Sequence, residues 1–173
     1  MAAVYLLTGS PGTGKTTLIR QAIAKSKVNA GGFYTEELRS NRIRQGFKIV
    51  TLDGQEAVLA HIEISSPYRV SKYGVDIEAL EDIGVASVHR AIKEADLIVI
   101  DEIGKMELYS PRFKEAVLQA VQSSKKVVGT VMLNSYPFAD DIKRHPRVKV
   151  VEVTRNNQME VLRDVINWIR LAR

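Results

Sequence analysis

Residues 3–16 read AVYLLTGSPGTGKT, and the way this stretch parses decides the fold. The apolar run over 3–8 has the pattern of a strand buried on both faces, as at the centre of a parallel sheet. It ends in Gly9, followed by Pro11, Gly12 and Gly14, residues that let a backbone turn sharply and approach a ligand. From Lys15 to about Ser26 the spacing becomes helical, with Leu18, Ile19, Ala22 and Ile23 on one stripe. Between strand and helix, Gly9-Ser10-Pro11-Gly12-Thr13-Gly14-Lys15-Thr16 fits the phosphate-loop pattern G-x-x-x-x-G-K-[ST] at every fixed position. The pattern has a physical reason. Successive N–H groups face inward on an anion, and the helix N-terminus adds partial positive charge. Lys15 brings a point charge to the β- and γ-phosphates, and Thr16 offers a hydroxyl to Mg²⁺. Thr17 completes the set expected to contact a nucleotide.

Leu97-Ile98-Val99-Ile100-Asp101-Glu102 is the second decisive stretch. A buried strand that ends in a carboxylate delivers Asp101 to the carboxyl edge of an α/β sheet, where ligands gather and where the metal would sit. Thr16 and Asp101 are therefore the candidate metal residues. Glu102 leaves the strand towards the γ-phosphate and can orient an attacking water, so Glu102 and Lys15 are the candidate catalytic pair. An adjacent Asp-Glu pair with no acceptor-binding motif favours hydrolysis over transfer. Charge on the equatorial phosphate oxygens also calls for a cation. Arg42, Arg44 and Lys48 on one face of a strand, and Lys72, Lys105 and Arg112 near loops, are the candidates, each equally readable as a solvated side chain. Thr154-Arg155-Asn156-Asn157 reads either as a base-side loop or as a turn and helix cap. His61, His89 and His145 form no metal pair at helical spacing and read as structural, and Trp168 reads as packed on the sheet.

The rest of the chain bounds the answer. Its 173 residues, 45% hydrophobic and 26% charged, suit one globular domain over 1–173 and exclude disorder or low complexity. No window approaches about 18 consecutive apolar residues, so a spanning helix is not expected. The N-terminus lacks the basic region of a signal peptide. With no cysteine there is no disulfide, zinc–thiolate site or thiol nucleophile, which fits a cytoplasmic protein. The net charge of +5 suits anionic partners such as nucleotides, but the basic residues are spread out and do not by themselves nominate nucleic acid.

Residues 33–62 read as a small antiparallel β-meander inserted in an α/β core. Ile43, Phe47 and Ile49 share one face there, Arg42, Arg44 and Lys48 the other, with turns at Ser40-Asn41 and Asp53-Gly54. Val58, Ala60 and Ile62 continue as a further strand. A helix is expected over about 76–95, interrupted at Gly84. Ser110-Pro111 opens another with a hydroxyl cap. Strands near 126–132 and 148–153, a short helix near 138–144 and a last helix from Asn157, with Glu160 in a capping box, complete the pattern. Strands alternating with helices make a mostly parallel sheet covered on both faces.

Together GSPGTGKTTL, GGFYTEELR (31–39), VSKYGVD (70–76) and above all DEIGKMELYS (101–110) resemble the small P-loop nucleoside-triphosphatase family of thermophilic bacteria and archaea, which has a cancer-related vertebrate counterpart. The resemblance spans essentially the whole chain. It implies Mg²⁺-dependent hydrolysis of ATP, GTP, CTP and UTP to the diphosphate and phosphate, with broad base tolerance. It also implies a RecA-like core of strand order 5-1-4-3-2, in which the 126–132 strand separates the phosphate-loop strand from the Asp101 strand. Lys15, Thr16, Asp101 and Glu102 carry over by motif, with Gly104 and Lys105 as site neighbours. Two positions depart from the pattern. Ser71 stands where the family often has glycine, and Asn134-Ser135 stand where a basic residue is sometimes found. Two other readings remain open from the residues: a P-loop kinase for a nucleoside, nucleotide or small metabolite, and a nucleotide-gated module binding RNA or a protein through the basic 39–48 face.

Overall fold

The structure, a computed structural model, describes residues 2–171; Met1, Ala172 and Arg173, the ends of the expected 1–173 unit, lie outside the described residues. Strand β1 (Val4–Thr8) is buried at all positions. It lies between β9 (Val148–Glu152) and β8 (Lys126–Val131), parallel to both. Beyond β8 come β7 (Leu97–Ile103) and the first residues of β2 (Ala30–Ser40), again parallel. This is the RecA-like order, with β8 between the phosphate-loop strand and the Asp101 strand as expected.

Alternation along β1 divides the core in two. Tyr5 and Leu7 face α1 (Lys15–Ser26) and α6 (Gln158–Arg170), packing with Leu18, Ile19, Val161 and Val165. Trp168 joins them, its ring 5.5 Å from that of Tyr5 and its Nε1 donating to the Ala2 carbonyl at 2.9 Å. Val4 and Leu6 face the other layer, where α3 (Ala86–Glu94), α4 (Pro111–Gln122) and α5 (Pro137–Arg144) contribute Val88, Phe113, Val117 and Ile142. Helix α4 starts as its sequence dictates, with Ser110 Oγ accepting from Phe113 N at 3.0 Å and Pro111 in the first turn.

The antiparallel part is larger than expected and continues the core sheet. Residues Ala30–Phe33 of β2 pair with β7, and Phe33–Ser40 of the same strand form a hairpin with β3 (Ile43–Thr51). Next come β4 (Glu56–His61) and a second hairpin of β6 (Tyr73–Val75) with β5 (Arg69–Val70), which complete one nine-stranded sheet. Two bulges break the simple alternation. Arg39 pairs with Arg44 but Leu38 with Gly46, leaving Gln45 extra, so Arg44 turns onto the Phe47 side and does not share a face with Lys48. In β4 Leu59 is the extra residue, which puts Leu59 and Ala60 inside while Val58 and Ile62 are exposed. Ile43, at the hairpin tip, is exposed as well.

Two further expectations are corrected. The helix is not interrupted at Gly84: α2 (Ile77–Ala79) runs through a π-helical turn (Leu80–Val85) into α3. Gly84 sits there because a Cβ would come within 3.3 Å of Leu80 Cδ1, with the Ile49 side chain next in line. Asn157 precedes α6 but makes no capping bond to it. Its amide instead closes the preceding loop, accepting from Thr154 N and donating to Glu152 O, each at 2.8 Å.

Candidate active site

The phosphate loop leaves the carboxyl end of β1 and enters α1 through Gly14, whose φ of 83° is left-handed. Gly9, at φ 142°, could not be another residue, because a Cβ would lie 2.5 Å from the Val153 carbonyl oxygen of the neighbouring loop. Lys15 folds back over the loop and donates from Nζ to Gly9 O at 2.9 Å and Ser10 O at 3.0 Å, while Thr13 Oγ1 donates to Ser10 O at 3.0 Å. Gln158, at the start of α6, donates to Thr13 O at 2.6 Å and so fixes the loop from the β9 side. The sequence reading missed it.

The end of β7 brings Asp101 and Glu102 to this loop, and the end of β8 brings Thr130. Thr16 Oγ1 donates to Asp101 Oδ2 at 2.7 Å and Thr130 Oγ1 donates to Oδ1 at 2.6 Å, across 85 and 29 positions of sequence. Thr35 Oγ1 of β2 donates to the Asp101 backbone carbonyl. Asp101 is only 3% exposed. Burial pushes its carboxyl above the usual carboxylate range, opposed by the Thr130 and Thr16 hydrogen bonds. Glu102 is pushed up to about 7, first by burial and then by the charge of Asp101, with Lys15 pulling the other way.

A cleft of about 690 Å³ opens over these groups. It is lined by the loop residues Gly9, Ser10, Pro11, Gly12, Gly14, Lys15, Thr16 and Thr17, by Thr35 and by Asp101 and Glu102. Thr13 contributes through the loop's internal bonds, not to the wall. Of the six basic candidates only Arg44 and Lys105 reach the cleft. Arg44 Nε is 3.3 Å from Glu37 Oε1, and its guanidinium lies 5.5 Å from the Phe47 ring centroid. Lys48 instead pairs with Glu36 and Glu56. None of Thr154–Asn157 lines the cleft; they form the turn already described. His61 and His145 each accept a nearby backbone N–H, and among the described residues no group of His, Cys, Asp and Glu makes a ready metal site. Gly104 does not itself line the cleft; it lies against two carboxylates that do. One is Glu102; the other, Glu107, is buried at 4% exposure and also lines the cleft. Glu107 was missed from the sequence, where its signal is a lone carboxylate between Met106 and Leu108 in the DEIGKMELYS stretch.

A glycine loop held at a helix N-terminus, with a buried strand-end aspartate hydrogen-bonded to the loop threonine, defines a P-loop nucleotide-binding protein. A family model described as NTPase matches residues 4–166. Nucleoside-triphosphatase THEP1 of Thermotoga sp. (strain RQ2) is 48% identical, over 97% of this chain and 96% of that protein. The human Cancer-related nucleoside-triphosphatase is 35% identical over the full length of both. In structure, THEP1 from the hyperthermophile Aquifex aeolicus superposes with a TM-score of 0.89 at 33% identity, covering 97% of this chain and 99% of the other. The chain belongs to the nucleoside-triphosphatase family and is an enzyme of that class. No helix among the described residues is long and apolar enough to cross a membrane.

Proposed function

We propose that the protein hydrolyses nucleoside 5′-triphosphates (ATP, GTP, CTP and UTP) to the diphosphate and phosphate with Mg²⁺, as one catalytic unit without strong base selection. The observation that carries this reading is the 2.7 Å bond from Thr16 to Asp101, with Glu102 lining the same cleft. The donor set fits a hard cation: a threonine hydroxyl beside a buried carboxylate whose desolvation a positive ion would offset. Thr16 would hold Mg²⁺ and Asp101 would hold it through water; when bound, the ion neutralises charge on the β- and γ-phosphate oxygens. Lys15 and the loop amides of Gly9 to Thr17 grip the phosphates. Glu102, which titrates at about 7, orients water and takes its proton. The water oxygen bonds to the γ-phosphorus as the bond from phosphorus to the bridging oxygen breaks, and the diphosphate leaves with that electron pair. Broad base tolerance goes with the apolar part of the lining, Phe47, Leu59, Val70, Met132 and Leu133, which can pack against any base without reading its edge. Membership of the family favours hydrolysis over the kinase and binding-module readings. A cytoplasmic site of action goes with the cysteine-free composition.

The test is Glu102→Gln beside the parent enzyme, with each of the four triphosphates in the presence and absence of Mg²⁺. The variant should keep nucleotide affinity while kcat falls by roughly 10²–10⁴-fold. Near-normal turnover would remove Glu102 from the mechanism.

A further inference from the structure

The turn after β7 holds a feature that motif reading does not use. Gly104 lies between the side chains of Glu102 and Glu107: a Cβ built on it would sit 2.3 Å from Glu102 Oε1 and 3.0 Å from Glu107 Oε2. Glu107 opens a single 3₁₀ turn (Glu107–Tyr109), and its side chain is turned into the cleft, not out to water. Burial, and then the charge of Glu102 beside it, push its carboxyl well above the usual carboxylate range, with the Glu107 and Gly104 backbone N–H groups pulling the other way. Leu108 N donates to Gly104 O at 3.0 Å and Ser110 N to Glu107 O at 3.0 Å, so the segment from Gly104 to Ser110 is closed by its own bonds. None of the ion pairs given for the described residues involves Glu107. Burying a carboxyl group is costly.

We propose that Glu107 is a positioning residue for hydrolysis: buried against Gly104 beside Glu102, it fills the turn so that the Glu102 carboxyl has one place to lie, over the glycine and facing the phosphate loop. This rests on Glu102 acting on water as proposed above. Gly104 is the necessary partner, because a methyl group there would collide with the catalytic oxygen. The reaction has no step through Glu107 itself. No proton or bond passes to it, and its whole effect runs through Glu102.

That last property makes the inference testable. Glu107→Ala should lower kcat roughly tenfold to a hundredfold, because small displacements of a reacting group are that costly, and should leave KM and the affinity for a non-hydrolysable triphosphate analogue within about threefold. Glu107→Gln, which keeps the size of the side chain and an acceptor oxygen against Gly104, should restore most of kcat. Gly104→Ala should reproduce the Glu107→Ala loss from the opposite side. In the Glu102→Gln background, Glu107→Ala should cost nothing further, because groups acting as a unit are not additive. The proposal is overturned if Glu107→Ala keeps the parent kcat, if Glu107→Gln is as impaired as Glu107→Ala, or if the double variant loses the product of the two single losses. Should Glu107→Ala fail to fold, the Gly104→Ala and Glu107→Gln results decide alone. Full activity in Glu102→Gln itself would instead break the catalytic reading of Glu102.

Discussion

The sheet has a parallel half, β9-β1-β8-β7, and an antiparallel half, β3-β4-β6-β5, with β2 belonging to both. In the parallel half β1 is buried at every position, and β7 ends in Asp101 held by hydroxyls from two directions. The antiparallel half is half-exposed, twice bulged and joined by turns in unusual conformations. Among them are Asn41, Arg42 and Ser71, all at positive φ without being glycine. Reactive groups sit where the backbone is most fully constrained; the antiparallel half supplies a wall of the cleft through Arg44, Phe47 and Leu59. The contrast suggests that chemistry depends on one half and the shape of the opening on the other.

Substitutions can break or sharpen that division. The largest effect should come from Lys15→Ala, which removes the one ammonium of the loop: kcat/KM should fall roughly 10³-fold and nucleotide titration should show weakened binding. A small change would place the phosphates elsewhere. Next is pH. Glu102 must be ionised to act as base, so kcat/KM, which reports the free enzyme, should rise with pH and level off above about 7. In Glu102→Gln that limb should vanish. Thr130→Val should cost about 1–3 kcal/mol of stability by urea unfolding, because Asp101 loses its Oδ1 donor while remaining buried. The smallest belongs to the antiparallel half. Ser71 is at φ 55° in the β5–β6 turn, so Ser71→Gly should relieve strain and raise the melting temperature by about 1–3 °C with turnover unchanged. A change in kcat there would tie that hairpin to the chemistry.

The parallel half was legible because strands buried on both faces must be apolar throughout, and the residue that ends the run is then conspicuous. That is how Leu97–Ile100 pointed to Asp101 and Glu102. The antiparallel half was legible only as strands. A single unpaired residue reverses every side chain beyond it, and neither Gln45 nor Leu59 carries a local mark of being that residue. Arg44 was therefore assigned to the wrong face, and the alternation of Val58, Ala60 and Ile62 could not show that Leu59 and Ala60 are the buried pair. Glu107 and Gln158 escaped for a different reason. Each looks like an ordinary surface residue at a helix start, and only the tertiary path turns one into the cleft and the other onto Thr13. Ser71 was noticed as a departure from glycine, and its positive φ supplies the physical reason.

The ladder between β2 and β7 stops at Phe33 and Ile100, and the cleft begins just past that last rung, with Thr35, Glu36 and Glu37 on one bank and Asp101 and Glu102 on the other. It resembles the mouth of a partly undone zip. Main-chain rungs fix the inner end of that opening. Changes in what it admits would then come from the side chains on the banks rather than from the ladder.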